Sequence, residues 1–146
     1  MGISAKELQN IVNMCNRTRC QFCREICPTY GFYKWETQAP RGRMNTAWNL
    51  LNGMLNYSER ARDIIYSCEL CSQCKETCPN GVDVPEVMLA LRHEINTRHP
   101  HLLPAAAADL SSNVKHHGDI FGAPVKERTS WSTGVKFSKN NERVFF

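Results

Sequence analysis

The sequence predicts an all-α fold, and three observations predict it. Every convincing apolar period along the chain is close to 3.6 residues, the repeat of one helix face. Helix starts are spelled out as a small polar residue followed three positions later by glutamate, at Ser4 and Glu7 and again at Asp83 and Glu86. The segment 28–67, which joins two cysteine runs, carries helical periodicity and no convincing strand pattern.

The first helix opens at the Ser4–Glu7 capping box, with Ile3 and Leu8 spaced as a hydrophobic staple. Leu8, Ile11, Val12 and Cys15 then recur on one face, so about three turns deliver Cys15 to whatever follows. Cys20 to Cys27 reads as a loop, after which Pro28–Phe32 turns away. Met44, Ala47, Trp48, Leu51 and Leu55 define the next helical face, with Gly53 marking its end. Ser58 caps a short helix whose inner side holds Ala61, Ile64, Ile65 and Cys68. The box at Asp83, with Pro85 tolerated in the first turn, starts a helix burying Val84, Val87, Met88, Leu91 and Ile95. One more helix is expected within 102–110, started after Pro104. The domain should thus span 1–110. Residues 111–146 read as an extended linker or docking tail with a turn at Phe121–Pro124 and an apolar end, Val144-Phe145-Phe146. Those terminal residues are expected either to dock or to begin a further strand. Trp35, Trp48 and Trp131 are expected as packing anchors, Trp48 above all, with Trp131 and Phe145-Phe146 as the alternative partner anchors.

The chemistry lies in the eight cysteines. Cys68, Cys71, Cys74 and Cys78 form C-x2-C-x2-C-x3-C, followed by Pro79; Cys15, Cys20, Cys23 and Cys27 repeat the pattern with a wider first step, followed by Pro28. Such a run holds a cubane with three thiolates and sends the fourth to a second cubane. The two-residue gaps wrap three soft sulfurs around one face, and the three-residue gap swings the last one out. Two [4Fe–4S] clusters are therefore expected, one on Cys15, Cys20, Cys23 and Cys78, the other on Cys68, Cys71, Cys74 and Cys27. Disulfides fit poorly, because no signal-peptide pattern opens the chain and an intracellular protein keeps its thiols reduced. Zinc fits poorly because its four-cysteine sites space paired C-x2-C knuckles a dozen or more residues apart. Cys15 stays open between ligand and core thiol, since it also continues the apolar stripe of the first helix. His116-His117 sits in a polar stretch with no third ligand nearby in sequence and reads as solvated.

At 146 residues the chain is sized for one domain with a tail, and no apolar run is long enough to span a membrane. The formal charge of +4 counts cysteines as neutral thiols. Each oxidised cubane with four thiolates adds about −2, so the basic residues read as cluster counter-charge. A nucleic-acid role is disfavoured because no basic stripe with interleaved aromatics is present.

Several segments together resemble the N-terminal iron–sulfur domain of the superfamily of heterodisulfide reductase D, the glycolate oxidase iron–sulfur subunit and anaerobic glycerol-3-phosphate dehydrogenase C. The matching pieces are Cys23 to Tyr30, the run Ala39-Pro40-Arg41-Gly42-Arg43-Met44, Cys68 to Cys71, and Val82 to Pro85, with Phe121–Arg128 and Trp131 similar to the following linker. The resemblance implies an α-helical ferredoxin fold. Members continue into Cys-Cys-Gly modules; this sequence has no adjacent cysteine pair. The resemblance therefore implies a non-catalytic electron-transfer subunit, cytoplasmic and anaerobic, between a flavin or ferredoxin-type donor and a Cys-Cys-Gly partner chain, in the manner of heterodisulfide reductase C. Any membrane association would be peripheral and through a partner. The alternatives are the iron–sulfur subunit of a 2-hydroxy acid or glycerol-3-phosphate dehydrogenase complex, a redox-sensing cluster domain, and an enzyme reducing disulfides at its own cluster. Arg41 and Arg43 are the charges expected to tune the clusters or to meet a partner.

Overall fold

The computed structural model describes residues 3–136. Its α-helices are α1 (Ala5–Thr18), α2 (Pro28–Tyr33), α3 (Pro40–Leu51), α4 (Glu59–Tyr66), α5 (Gln73–Glu76), α6 (Val84–Arg98), α7 (Ala105–His117) and α8 (Val125–Arg128). Short 3-10 turns cover Glu36–Gln38, Pro100–Leu102 and Ser130–Ser132. Among the described residues there is no strand, so the fold is all-α. No helix among them is long and apolar enough to cross a membrane. The chain forms two compact units, one up to Leu103 and one from Pro104. Position 110, the expected domain end, falls inside α7. The terminal Val144-Phe145-Phe146 lies outside the described residues.

The first unit is built on local signals that the backbone obeys. Ser4 Oγ accepts from Glu7 N, and Glu7 Oε2 accepts from Ser4 N at 2.9 Å, so both arms of the capping box close. Ser58 accepts from Ala61 N to start α4, and Asp83 accepts from Glu86 N to start α6. Helix α3 lies against α1 and α6, and α4 packs on both α3 and α6. Between them Val12, Met44, Ala47, Ile65, Val87, Met88, Leu91 and Ile95 form one buried core. Each large aliphatic side chain there contributes about 1.5–3 kcal/mol by leaving water. Cys15, Cys23, Cys68 and Cys78 pack against this same core, and Cys74 belongs to it, which makes the sulfur sites continuous with the hydrophobic interior.

Three expectations need correction. Pro28 does not end the first cysteine loop with a turn; it occupies the first position of α2, where its missing N–H is no loss and its fixed φ is already helical. The α3 face stops at Leu51, and Leu55 lies past Gly53 (φ 68°) and is exposed. Trp35 and Trp131 are mostly exposed, at 59% and 74%, rather than buried. Trp48 does join α3 to α1, donating its indole N–H to Asn13 Oδ1 at 3.0 Å.

In the second unit α7 begins after Pro104, as expected, and runs on to His117. Asp119 Oδ2 accepts from the N–H groups of Phe121 and Ala123, and Arg128 donates to the carbonyls of His117 and Gly118. The Phe121–Pro124 turn therefore brings α8 back onto the free carbonyls at the end of α7.

A candidate iron–sulfur site

The cysteines gather in two sets. Burial pushes the Cys15 thiol up to about 12, and the charges that press on it further are those of Cys23, Cys20 and Cys78. Burial likewise pushes Cys74 up to about 12, with Cys68, Cys23, Cys71 and Cys27 as its charged neighbours. Helix α1 delivers Cys15 in its last turn, and Cys78, just after α5, joins it from the second cysteine run. Ligation of a metal by these cysteines would take the proton off each thiol.

The second set surrounds a cavity. Cys27, Cys68, Cys71 and Cys74 line it together with Pro28, Pro40, Val84 and Pro85. Leu70 (φ 55°) and Ser72 (φ 63°) adopt left-handed backbone on either side of Cys71. Non-glycine residues in that region cost on the order of 1–3 kcal/mol each and persist where the surroundings impose them. Here the two reversals bend the chain so that three successive cysteines line one cavity. Among the described residues no three His, Cys, Asp or Glu side chains close to the spacing of a single bare ion. A cubane stands its thiolates further apart, because the iron–sulfide cube lies between them. His116 and His117 are exposed in the last turn of α7.

The start of α3 lies between the two sets. Arg43 is 1% exposed. Its Nε donates to Ile64 O at 3.0 Å, its Nη1 to Gln38 O at 2.6 Å, and its Nη2 to Thr29 Oγ1, Gln38 Oε1 and Ser67 Oγ. Nη1 also lies 3.8 Å from Cys27 Sγ. None of these partners is a carboxylate. A buried guanidinium without counter-charge is costly, and an anion in the adjoining sulfur-lined cavity removes that cost. Burial raises the Cys27 thiol, but the Thr29 hydroxyl 3.1 Å away, the Tyr30 N–H and the Arg43 cation outweigh it and hold Cys27 below the ordinary thiol range.

Arg41 serves the other set. Its Nη1 donates to Arg19 O at 2.8 Å, and its charge opposes the rise of Cys15. Its backbone N–H bonds the sulfur of Cys23, a thiol that burial otherwise raises. Between the two arginines only glycine fits: a Cβ on Gly42 would stand 1.8 Å from Glu36 O. The sequence pointed to both arginines but not to this division of labour. Nor did it reveal Thr29, Gln38 and Ser67, which complete the Arg43 cage, or Arg92, whose Nη2 donates to the carbonyls of Ile65, Tyr66 and Cys68 and so fixes the entry to the second cysteine run. The one faint signal was Arg92 itself, a long cation next to the buried Leu91.

The donor set, apolar walls and buried cation fit an iron–sulfur cluster, and comparison with known proteins agrees. Residues 11–82 match the family described as a 4Fe-4S dicluster domain. The chain is 33% identical over 101 residues to the probable glycolate oxidase iron-sulfur subunit of Bacillus subtilis (strain 168), covering 67% of this chain and 22% of that protein. It is 33% identical over 78 residues to the glycolate oxidase iron-sulfur subunit of Escherichia coli (strain K12), covering 53% of this chain and 18% of that protein. The chain thus spans about a fifth of the length of these curated relatives. No solved structure matches it at comparable significance. Over residues 11–82 the chain therefore belongs to the 4Fe-4S dicluster family and is homologous to the iron–sulfur subunits of glycolate oxidases.

Proposed function

We propose that the protein is an electron-transfer subunit holding two [4Fe–4S] clusters, one on Cys15, Cys20, Cys23 and Cys78 and one on Cys27, Cys68, Cys71 and Cys74. Electrons enter from a flavin or ferredoxin-type partner and leave to a second partner in a reducing, intracellular compartment. The observation that carries this reading is Arg43, a buried cation with no carboxylate among its partners, set against a cavity lined by four cysteines. A relay needs no acid, base or nucleophile, and the polar groups around the sulfurs are engaged in holding Arg43 and the loops. Two partner types suit the relay. One is a Cys-Cys-Gly chain, in a heterodisulfide reductase-like complex. The other is a flavoprotein that oxidises a 2-hydroxy acid, which the names of the two relatives support.

Anaerobically purified protein is expected to be brown, to carry about eight irons and eight acid-labile sulfides, and to show two reversible one-electron reductions. Colourless protein, or metal that is mostly zinc, overturns the reading. Changing Cys15 to serine is expected to lower the iron count; eight irons retained would return Cys15 to the role of core thiol. Proteins that co-purify decide between the partners: a Cys-Cys-Gly chain supports the first and a hydroxy-acid flavoprotein the second.

A further inference from the structure

We infer that Arg41 and Arg43 make the two sulfur sites unequal, giving the Cys27, Cys68, Cys71 and Cys74 site the higher reduction potential, so that a single shared electron rests there. The inference rests on the two-cluster reading and adds an order to it.

Both arginines come from the first turn of α3, yet they meet different sets in different surroundings. Reduction adds one negative charge to a cluster. Cations and hydrogen-bond donors near the sulfurs stabilise that charge and raise the potential. The strength of the effect depends on how far water screens it. A charge pair acting through an effective dielectric constant near 20 is coupled about fourfold more strongly than one in bulk water. Arg43 is sealed from solvent, with its guanidinium 3.8 Å from Cys27 Sγ. Arg41 is half-buried, and its guanidinium is turned to the Arg19 carbonyl at the surface.

Neutral donors reach sulfurs of both sites, with the Thr18 hydroxyl also 3.9 Å from Cys20 Sγ, so the inequality rests on the two cations. Cys27 has the Thr29 hydroxyl at 3.1 Å and the Tyr30 N–H beside the arginine. Cys23 has backbone N–H groups, its own and that of Arg41. Acidic groups near the second site do not cancel Arg43. Glu69 lines the cavity but is exposed and water-screened, and Asp83 is paired with Lys75. The same geometry excludes Arg43 from any salt bridge to a partner, because no face of it reaches solvent.

The test is an anaerobic redox titration of the intact iron-loaded protein, read by electron paramagnetic resonance, for wild type, R43Q, R43K and R41Q. In wild type two separate waves are expected. R43Q should lower only the upper wave, cutting the reduced-to-oxidised ratio at a fixed potential at least tenfold, about 59 mV for a one-electron couple. R43K, which keeps the cation, should shift that wave by less than tenfold. R41Q should lower only the lower wave and so widen the gap. An R43Q effect on the lower wave, on both equally or on neither overturns the inference, as does an R41Q variant whose gap narrows or stays fixed. If R43Q fails to load iron, R41Q alone decides by the same criterion. Wild-type protein with one cluster or none refutes the two-cluster reading itself. Full iron content with waves indifferent to the arginines refutes only the ordering.

Discussion

Gly42 shows how one atom governs the site. The chain runs from Glu36–Gln38 into α3 so closely that the Glu36 carbonyl occupies the place of a side chain at position 42. The clash is with backbone, so no rotamer change relieves it. Gly42→Ala should destabilise the protein by about 3 kcal/mol or more and displace both neighbouring arginines, measured as a lower unfolding midpoint in urea and a loss of cluster absorbance. Tyr57 carries a second prediction. Burial first, then Glu94, pushes its phenol up to about 12 from an ordinary value of 10.0, and its ring stacks on His99 at 4.4 Å. A group whose folded value is raised contributes stability that is fully present below the unfolded value and lost as pH climbs through the folded one. The wild-type melting temperature should therefore fall more steeply than that of Tyr57→Phe between pH 10 and 12, with the two curves parallel below that window. Parallel curves throughout would remove Tyr57 from the account.

At the scale of elements, helix starts carry more of the function than helix faces. α1 is fixed at one end by the Ser4 box and presents Cys15 near the other. Ser4→Ala should cost about 1 kcal/mol by urea unfolding. Cluster loss should quicken in the same variant, because the helix bearing Cys15 then frays. α2 and α3 both begin on proline, and both direct first-turn N–H groups at cysteine sulfur, Tyr30 to Cys27 and Arg41 to Cys23. Free N–H groups at a helix start favour negative charge. The positions of α1, α4 and α6 were legible because capping residues and apolar spacing are local signals. The helical role of Pro28 was not, since proline after a cysteine run equally suits a turn or a first helical position, and only the carbonyl partners of the next turn distinguish them.

For the molecule as a whole, the sulfur sites and the hydrophobic core are one structure, with Cys15, Cys23, Cys68, Cys74 and Cys78 joined to Val12, Met44 and Leu91. Stripping iron with a chelator under reducing conditions should leave Arg43 as an uncompensated buried charge and unfold the first unit, read as loss of helical circular dichroism. Unchanged dichroism and melting temperature in the apo protein would contradict this. The sequence by itself determined the helical class, the helix starts and the eight sulfurs, because capping, periodicity and C-x2-C spacing act over a few neighbouring residues. Tertiary structure alone decided that Arg43 is sealed and Arg41 is not, and that Thr29, Gln38, Ser67 and Arg92 serve the site. Burial is a property of packing between segments distant along the chain, and two arginines two positions apart on one helix look alike until the other helices close over one of them.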